Sequence, residues 1–221
     1  MTTRPAVSAT EPDAPRGRTR KLRRGPLTRT QILDAALRLF SERGFARTSV
    51  RDIAQAAGIT DAAIYYHFAS KRDLFEALIE ERGFTAALES LETAEVNIGP
   101  NEAIPLIGTN ALSFIYQNRD LMKVLMLEAM AEDAVAAEEY GILAERWERA
   151  EARILRIYVE RGDIHVESVD ELAKQCVVTV LGAFADYLMS PATARSDDPE
   201  PPEALLEHVR SAMQQIVRGI T

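Results

Sequence analysis

The chain has 221 residues, of which 47% are hydrophobic, and its 26 Lys and Arg against 34 Asp and Glu give a formal net charge of −8. This length allows one large or two small domains with a substantial core. We find no run that approaches the roughly 20 apolar residues of a membrane helix and no secretory signal, so we expect a cytoplasmic protein. The single cysteine, Cys176, excludes an internal disulfide.

The charge is distributed unevenly along the chain. Residues 1–73 contain 14 Lys and Arg against 7 Asp and Glu, whereas residues 74–221 contain 12 against 27. A basic end on an acidic body favours nucleic-acid binding by that end. Residues 1–27 are predicted to be a disordered basic arm, which is either a solvated tail or a segment that contacts phosphates or a minor groove.

The first helix is predicted to start at Thr28, where Gln31 completes a capping-box pattern, and to end at Gly44. Its core stripe consists of Ile32, Leu33, Ala36, Leu37 and Phe40.

Residues 48–71 are predicted to form two short helices joined by a tight turn. Thr48 is placed at the cap of the first and Thr60 at the cap of the second, with Gly58 at the turn. The apolar spacing of the first helix predicts one buried face, and Ile64 and Phe68 are expected to lie on the inner face of the second. This is the pattern of a helix-turn-helix that presents its second helix to a DNA major groove.

The rest of the chain is predicted to be helical. Ser70 with Asp73 should cap a fourth helix, and later helices are expected at about 102–118, 120–130, 133–161, 168–189 and 203–219. Ser168, with Glu171 at the box position, should cap the helix at 168–189. Residues 93–101 are a connection, and residues 191–202 are a linker of proline and charge. We find no alternating strand pattern, so the fold class is all-α with about nine helices.

The residues expected at the DNA fall into three groups. Thr48, Ser49 and Arg51 open a helix whose N–H groups favour phosphate, and Lys71 adds charge at the next helix. Thr60, Asp61 and Ala62 lead the recognition helix and are candidates for reading bases; Asp61 either accepts from a cytosine amino group or only stabilises its helix. Of Tyr65, Tyr66 and His67, we expect one tyrosine to pack locally, and Tyr65 and His67 to face DNA.

Large side chains downstream are candidates for a ligand cavity between helices, although most residues of this kind simply fill a core. We select six as ligand contacts: Phe114, Met122, Met126, Trp147, Tyr158 and Phe184. Leu125, Met130, Tyr140 and Ile154 belong to the same wider set. The cluster of Asp163, His165 and Glu167 is typical of a polar loop, so no metal and no cofactor are expected. The sequence lacks phosphate-loop, GxSxG and HExxH motifs, and we expect no enzyme.

The segment from Ile32 to Ile79 closely resembles the DNA-binding domain of the tetracycline-repressor (TetR) family of transcriptional regulators. The shared signals are Gly44–Phe45, Thr48 with Ile53 and Ala54, residues 57–59, residues 64–68, and Lys71 with Leu74. The resemblance implies a DNA-binding domain over 28–73 and an effector-binding and dimerisation domain over 74–221. It also implies a homodimer, formed through about 168–189 and 203–219, that binds a palindromic double-stranded operator and is released by a small molecule. The alternative is an activator or a ligand-independent architectural DNA-binding protein.

Overall fold

The computed structural model describes residues 29–190 and 198–221, and those residues form ten α-helices and no strand. The helices are α1 (Arg29–Arg43), α2 (Val50–Ala57), α3 (Asp61–His67), α4 (Lys71–Glu81), α5 (Phe84–Glu92), α6 (Pro100–Gln117), α7 (Arg119–Met130), α8 (Ala134–Arg161), α9 (Val169–Met189) and α10 (Glu203–Arg218). The predicted arm over residues 1–27, the cap at Thr28 and the linker residues 191–197 lie outside the described residues.

The first three helices pack with the start of α4 around an aromatic cluster. The rings of Phe40, Phe45 and Phe75 have centroids 4.7 to 5.8 Å apart. Ile64 and Phe68 of the recognition-helix segment are buried against this core, as their spacing predicts. The turn between α2 and α3 depends on Gly58, which has φ 69°, a left-handed conformation that costs glycine little.

The cap of α2 differs from the prediction. Ser49, not Thr48, is the N-cap, and it forms a complete capping box with Asp52. Thr48 is only 1% exposed, and its hydroxyl donates to the carbonyl oxygen of Gly44 at 2.8 Å. Thr48 therefore fastens the end of α1 to the start of α2 from the inside.

The predicted single fourth helix is interrupted, which raises the helix count from nine to ten over the described residues. The chain adopts φ 82° at Gly83, so α4 ends at Glu81 and α5 begins at Phe84. The predicted caps at Thr60, Ser70 and Ser168 are confirmed, and Asp133 caps α8.

Helices α5 to α10 form the second part of the molecule. α6 packs on α10, α8 lies between α7 and α9, and α5 crosses α8. By length and composition α9 could cross a membrane, since an 18-residue window reaches a mean hydropathy of 1.3. The expectation that no apolar run approaches this length was therefore wrong. Half of that window is buried inside the protein, as it is for the core helix of a globular fold.

Candidate DNA-binding surface and ligand cavity

The recognition helix α3 presents most of its side chains to solvent. Thr60 caps it by accepting from the backbone N–H of Ala63 at 3.3 Å. Ile64 is the single residue of α3 that is fully buried, and it holds the helix against the core. Thr60, Asp61 and Ala62 are exposed at its N-terminal end, which is the end that a recognition helix offers to base edges.

Both tyrosines of α3 are exposed, so the prediction that one of them packs locally was wrong. Tyr65 is 55% exposed and Tyr66 is 86% exposed. The ring of Tyr66 meets that of His67 edge to face, with centroids 5.2 Å apart, and His67 is itself exposed. Because α3 has only seven residues and one buried anchor, successive positions 65, 66 and 67 all stay on the outer side. Tyr66 is a further candidate for a DNA contact.

The start of α2 forms a second exposed element beside α3. Ser49 and Arg51 are exposed there, and hydrogen bonds from Ser49 lower the pKa of Asp52. The buried hydroxyl of Thr48 points away from this surface, which removes its side chain from the predicted contacts. Arg47 is exposed and donates from Nε to the carbonyl oxygen of Arg43 at 2.7 Å. Arg47 lies two residues before the Ser49 N-cap, and this position marks it as a further candidate for a phosphate contact that was not predicted above.

Lys71, at the first position of α4, has an internal partner. Its Nζ donates to the carbonyl oxygen of Phe45 at 2.9 Å and lies 4.1 Å from the centroid of the Phe45 ring. Partial burial lowers the pKa of Lys71, although Asp133 and Glu128 act in the opposite direction. The ammonium thus closes the loop between α1 and α2, in addition to any phosphate contact.

A cavity of about 410 Å³ lies among α5, α6, α7, α8 and α9. This volume falls within the range of pockets that enclose drug-sized molecules. Phe114, Met122 and Trp147 line it, as predicted from the sequence, and Tyr140 of the wider set also does. Ser90 of α5 and Asn110 of α6 are exposed members of the wall, and we call the side of the cavity that they line its mouth.

The other three selected residues do not line this cavity. Tyr158 is fully buried, and its hydroxyl donates to the carbonyl oxygen of Ile98 at 2.8 Å. Phe184 is fully buried in the core and stacks near Tyr187, while Met126 packs against the core as a partly buried side chain. Asn110 was missed, because no pattern distinguishes a cavity asparagine from a surface one.

A buried carboxyl lies one helical turn beyond Trp147 on α8. Glu151 is 3% exposed, and burial raises its pKa to about 7 although a hydrogen bond from the Trp147 side chain lowers it. Cys176 of α9 is buried nearby; burial and the Glu151 charge raise the pKa of its thiol to about 12, so it stays protonated.

Arg72 of α4 joins the helix-turn-helix region to the first turn and a half of α8. It lies 2.9 Å from Glu138 and 3.3 Å from Glu139, and it also pairs with Glu76 one turn along α4. These partners raise the pKa of Arg72, whereas burial raises the pKa of Glu139. We call Arg72, Glu76, Glu138 and Glu139 the junction cluster.

A second contact crosses the same junction. Glu128, near the end of α7, accepts from the backbone N–H of Ala46 at 3.3 Å. The loop between α1 and α2 is thus in contact with the body of the protein. Over residues 29–190 and 198–221, no group of three His, Cys, Asp or Glu side chains is arranged to hold a metal ion.

Comparison with known proteins decides the family. Residues 32–78 match the model of bacterial regulatory proteins of the tetR family. The chain is 31% identical over 190 residues to the transcriptional repressor KstR2 of Rhodococcus jostii, a match that covers 71% of this chain and 91% of that protein. The chain belongs to the TetR family.

Two further matches differ in extent. The regulator AcrR of Shigella flexneri is 57% identical over 53 residues, but this match spans only 24% of our chain and 25% of AcrR. The structure of FadR from Bacillus subtilis in complex with stearoyl-CoA has a TM-score of 0.69 at 22% identity, and covers 88% of our chain and all of that chain. The second likeness concerns the fold alone.

Membership confirms the expected fold class, an N-terminal helix-turn-helix with a C-terminal helical part. It also identifies the protein as a DNA-binding transcriptional regulator, because the TetR family consists of regulators and not of enzymes.

Proposed function

We propose that this TetR protein is a repressor that dissociates from a palindromic operator when a small, largely apolar ligand enters the cavity. The observation that carries the proposal is that α8 serves both sites. Its residues Tyr140 and Trp147 line the cavity, and its residues Glu138 and Glu139 hold Arg72 of α4. A ligand that displaces Tyr140 acts on the residue next to Glu139.

The DNA-binding unit in this proposal is the helix-turn-helix over 28–73, and the effector-binding and dimerisation unit is 74–221. Ser49, Arg51 and Lys71 would contact phosphates, while Tyr65, Tyr66 and His67 would contact the backbone or nearby bases. The exposed N-terminal end of α3, Thr60 to Ala62, would read bases.

A homodimer through α9 and α10 fits the exposed side of α9. Val178 is 55% exposed and Met189 is 76% exposed. Gly182 lies between them, exposed and with no atom within 4 Å of where a Cβ would stand. These positions share one helix face, and a second copy that covered it would remove apolar surface from water. Two reading heads on a two-fold axis require a palindromic site.

The direct test is a fluorescence-polarisation titration with labelled DNA taken from beside the protein's own gene, against a scrambled duplex of equal length. We expect the native sequence to bind more tightly by at least about a thousandfold at physiological salt. Equal affinity for the two duplexes would contradict sequence-specific regulation at that site.

The junction cluster provides a test of ligand release. Arg72→Gln removes the pairs to α8, so 1-decanol, used as a probe for the cavity, should weaken operator binding less in this variant than in the natural protein. Arg82→Gln is the matched control, because Arg82 pairs with Asp34 of α1 at 2.7 Å and is equally exposed. If both variants respond to 1-decanol like the natural protein, α8 does not transmit the signal through Arg72.

An activator would use the same DNA surface and differ only in the effect on transcription. An architectural protein without a ligand would have a filled core in its C-terminal part, and the cavity of about 410 Å³ favours the ligand-responsive alternative. A cytoplasmic location follows from action on chromosomal DNA.

A further inference from the structure

We infer that the cavity takes an uncharged, largely apolar molecule carrying one or two hydrogen-bonding groups, and that it rejects carboxylates and phosphate esters. This inference rests on the proposed function, since it names the ligand class of the same cavity. It is carried by the wall, by the mouth and by three polar side chains that have no other partner among the described residues.

Among the residues that the structure describes, the wall contains no charged side chain. Among its seventeen residues the side chains able to hydrogen-bond belong to Ser90, Asn110, Tyr140 and Trp147, and the others are apolar. A charged ligand group placed here would lose its hydration without gaining an ion pair. An unpaired charge in an apolar site is strongly disfavoured, so the wall selects against any ionised group.

The two helices that line the mouth, α5 and α6, also lack cations. Residues 83–118, which include both α5 and α6, contain four glutamates and no lysine, arginine or histidine. Two arginines of α8 reach the region but are engaged. Arg146 pairs with Glu92 at 3.8 Å, and Arg153 donates to the carbonyl oxygen of Ala94 at 3.3 Å. An anionic head group at the mouth would gain no free cation from α5, from α6 or from these two arginines.

Three polar side chains of the wall remain to orient a neutral ligand, those of Ser90, Asn110 and Tyr140. None of the three forms a hydrogen bond with any other described residue. Burial raises the pKa of Tyr140, so its hydroxyl stays a neutral donor. The Trp147 side chain is already hydrogen-bonded to Glu151. A ligand hydroxyl or carbonyl would therefore pair with Asn110 and Tyr140.

This assignment separates the chain from a structural neighbour of the same fold. The FadR structure from Bacillus subtilis contains stearoyl-CoA, whose coenzyme A part carries phosphate groups. The described residues of the wall, together with α5 and α6 at the mouth, offer no cation to such groups.

The protein carries its own reporter for a binding test. Trp147 is the only tryptophan of the sequence, and it lines the cavity. We would titrate the full-length protein, without DNA, with 1-decanol, decanoate and decylammonium, which share one chain and differ in charge. At neutral pH we expect 1-decanol to change the Trp147 fluorescence saturably and each charged probe to bind at least tenfold more weakly.

Variants locate the binding. Asn110→Leu and Tyr140→Phe should each weaken 1-decanol binding by roughly fivefold, the usual effect of one lost hydrogen bond. Gln117→Leu is the control, because Gln117 is an exposed residue of the same helix α6 outside the wall. The affinity of Gln117→Leu for 1-decanol should equal that of the natural protein. This comparison separates the loss of a ligand contact from a general effect of leucine on the folding of α6.

Three results would overturn the inference: decanoate or decylammonium binding as tightly as 1-decanol, no saturable change with 1-decanol, or equal affinity in all the variants. Failure of the proposed function looks different. If the protein binds 1-decanol selectively but 1-decanol does not release it from the operator, the inferred ligand class stands and the proposed ligand release is wrong. If decanoate releases the protein from DNA, the proposed ligand release stands and the inferred ligand class is wrong.

Discussion

Replacing the buried carboxyl by its neutral isostere, Glu151→Gln, should make the folding stability less dependent on pH. Burial raises the pKa of Glu151 from 4.5 in the unfolded chain to about 7 in the folded protein. Between these two values the unfolded chain releases a proton that the folded protein keeps. Stability is therefore fully present below the lower pKa and falls as the pH rises toward the higher one.

The magnitude follows from the two pKa values. At about 1.36 kcal/mol per pH unit, the natural protein should lose roughly 3 kcal/mol of stability between pH 4.5 and pH 7 through this one group. The amide introduced by Glu151→Gln carries no such charge and can still accept from the Trp147 side chain. Relative to the natural protein, the variant should gain roughly 3 kcal/mol over the same pH interval.

Urea unfolding followed by circular dichroism, repeated at several pH values across this interval, measures the difference directly. Comparing the variant with the natural protein at each pH cancels the titration of all other groups. Glu145→Gln is the control for the substitution itself, since Glu145 lies on the exposed side of the same helix. A pH-independent difference between Glu151→Gln and the natural protein would refute the burial argument.

Two further predictions concern packing and the DNA surface. Gly108→Ala should destabilise the protein by about 1 kcal/mol, because the new Cβ would lie 2.9 Å from Cγ of Met213 on α10. Gly141→Ala should stabilise it by up to about 1 kcal/mol, because no atom lies within 4 Å of the new Cβ and alanine favours a helix. Thermal unfolding that ranks the two variants in the opposite order would contradict this prediction. Lys71→Ala should weaken binding to all DNA sequences and reduce the dependence of log affinity on log salt concentration by about one. It should also lower the melting temperature by a few degrees, through loss of the hydrogen bond to Phe45. A lower melting temperature with an unchanged salt dependence would leave Lys71 only a structural role.

Local sequence was sufficient for most of the helices and for the exposure of Tyr65 and His67, but not for the break at Gly83 or for the exposure of Tyr66. Apolar spacing and caps depend on residues three or four positions apart, so Thr60, Ser70 and Ser168 were predicted as caps correctly. The predicted cap at Thr48 was wrong by one residue, since two hydroxyl residues are adjacent there. Only the path of the loop decides which hydroxyl turns inward.

The cavity shows the limit of the same reasoning. Trp147 and Tyr158 are eleven residues apart on α8, about three turns, so both face the interior. Trp147 lines a cavity of about 410 Å³, whereas Tyr158 is fully buried and bonded to Ile98. Helical period fixes the side of the helix, but where the neighbouring helices leave space depends on how α5 and α6 cross α8.

The sequence by itself determined that the chain is helical, that a helix-turn-helix near its N-terminus exposes Tyr65 and His67, and that the basic charge lies at that end. Each of these depends on neighbours along the chain or on a count of charges. The tertiary structure decided that Lys71 reaches back to Phe45, that Arg72 holds the start of α8, and that Glu151 lies behind Trp147 in the core. These contacts join residues distant in sequence, so only the packing of the helices brings them together.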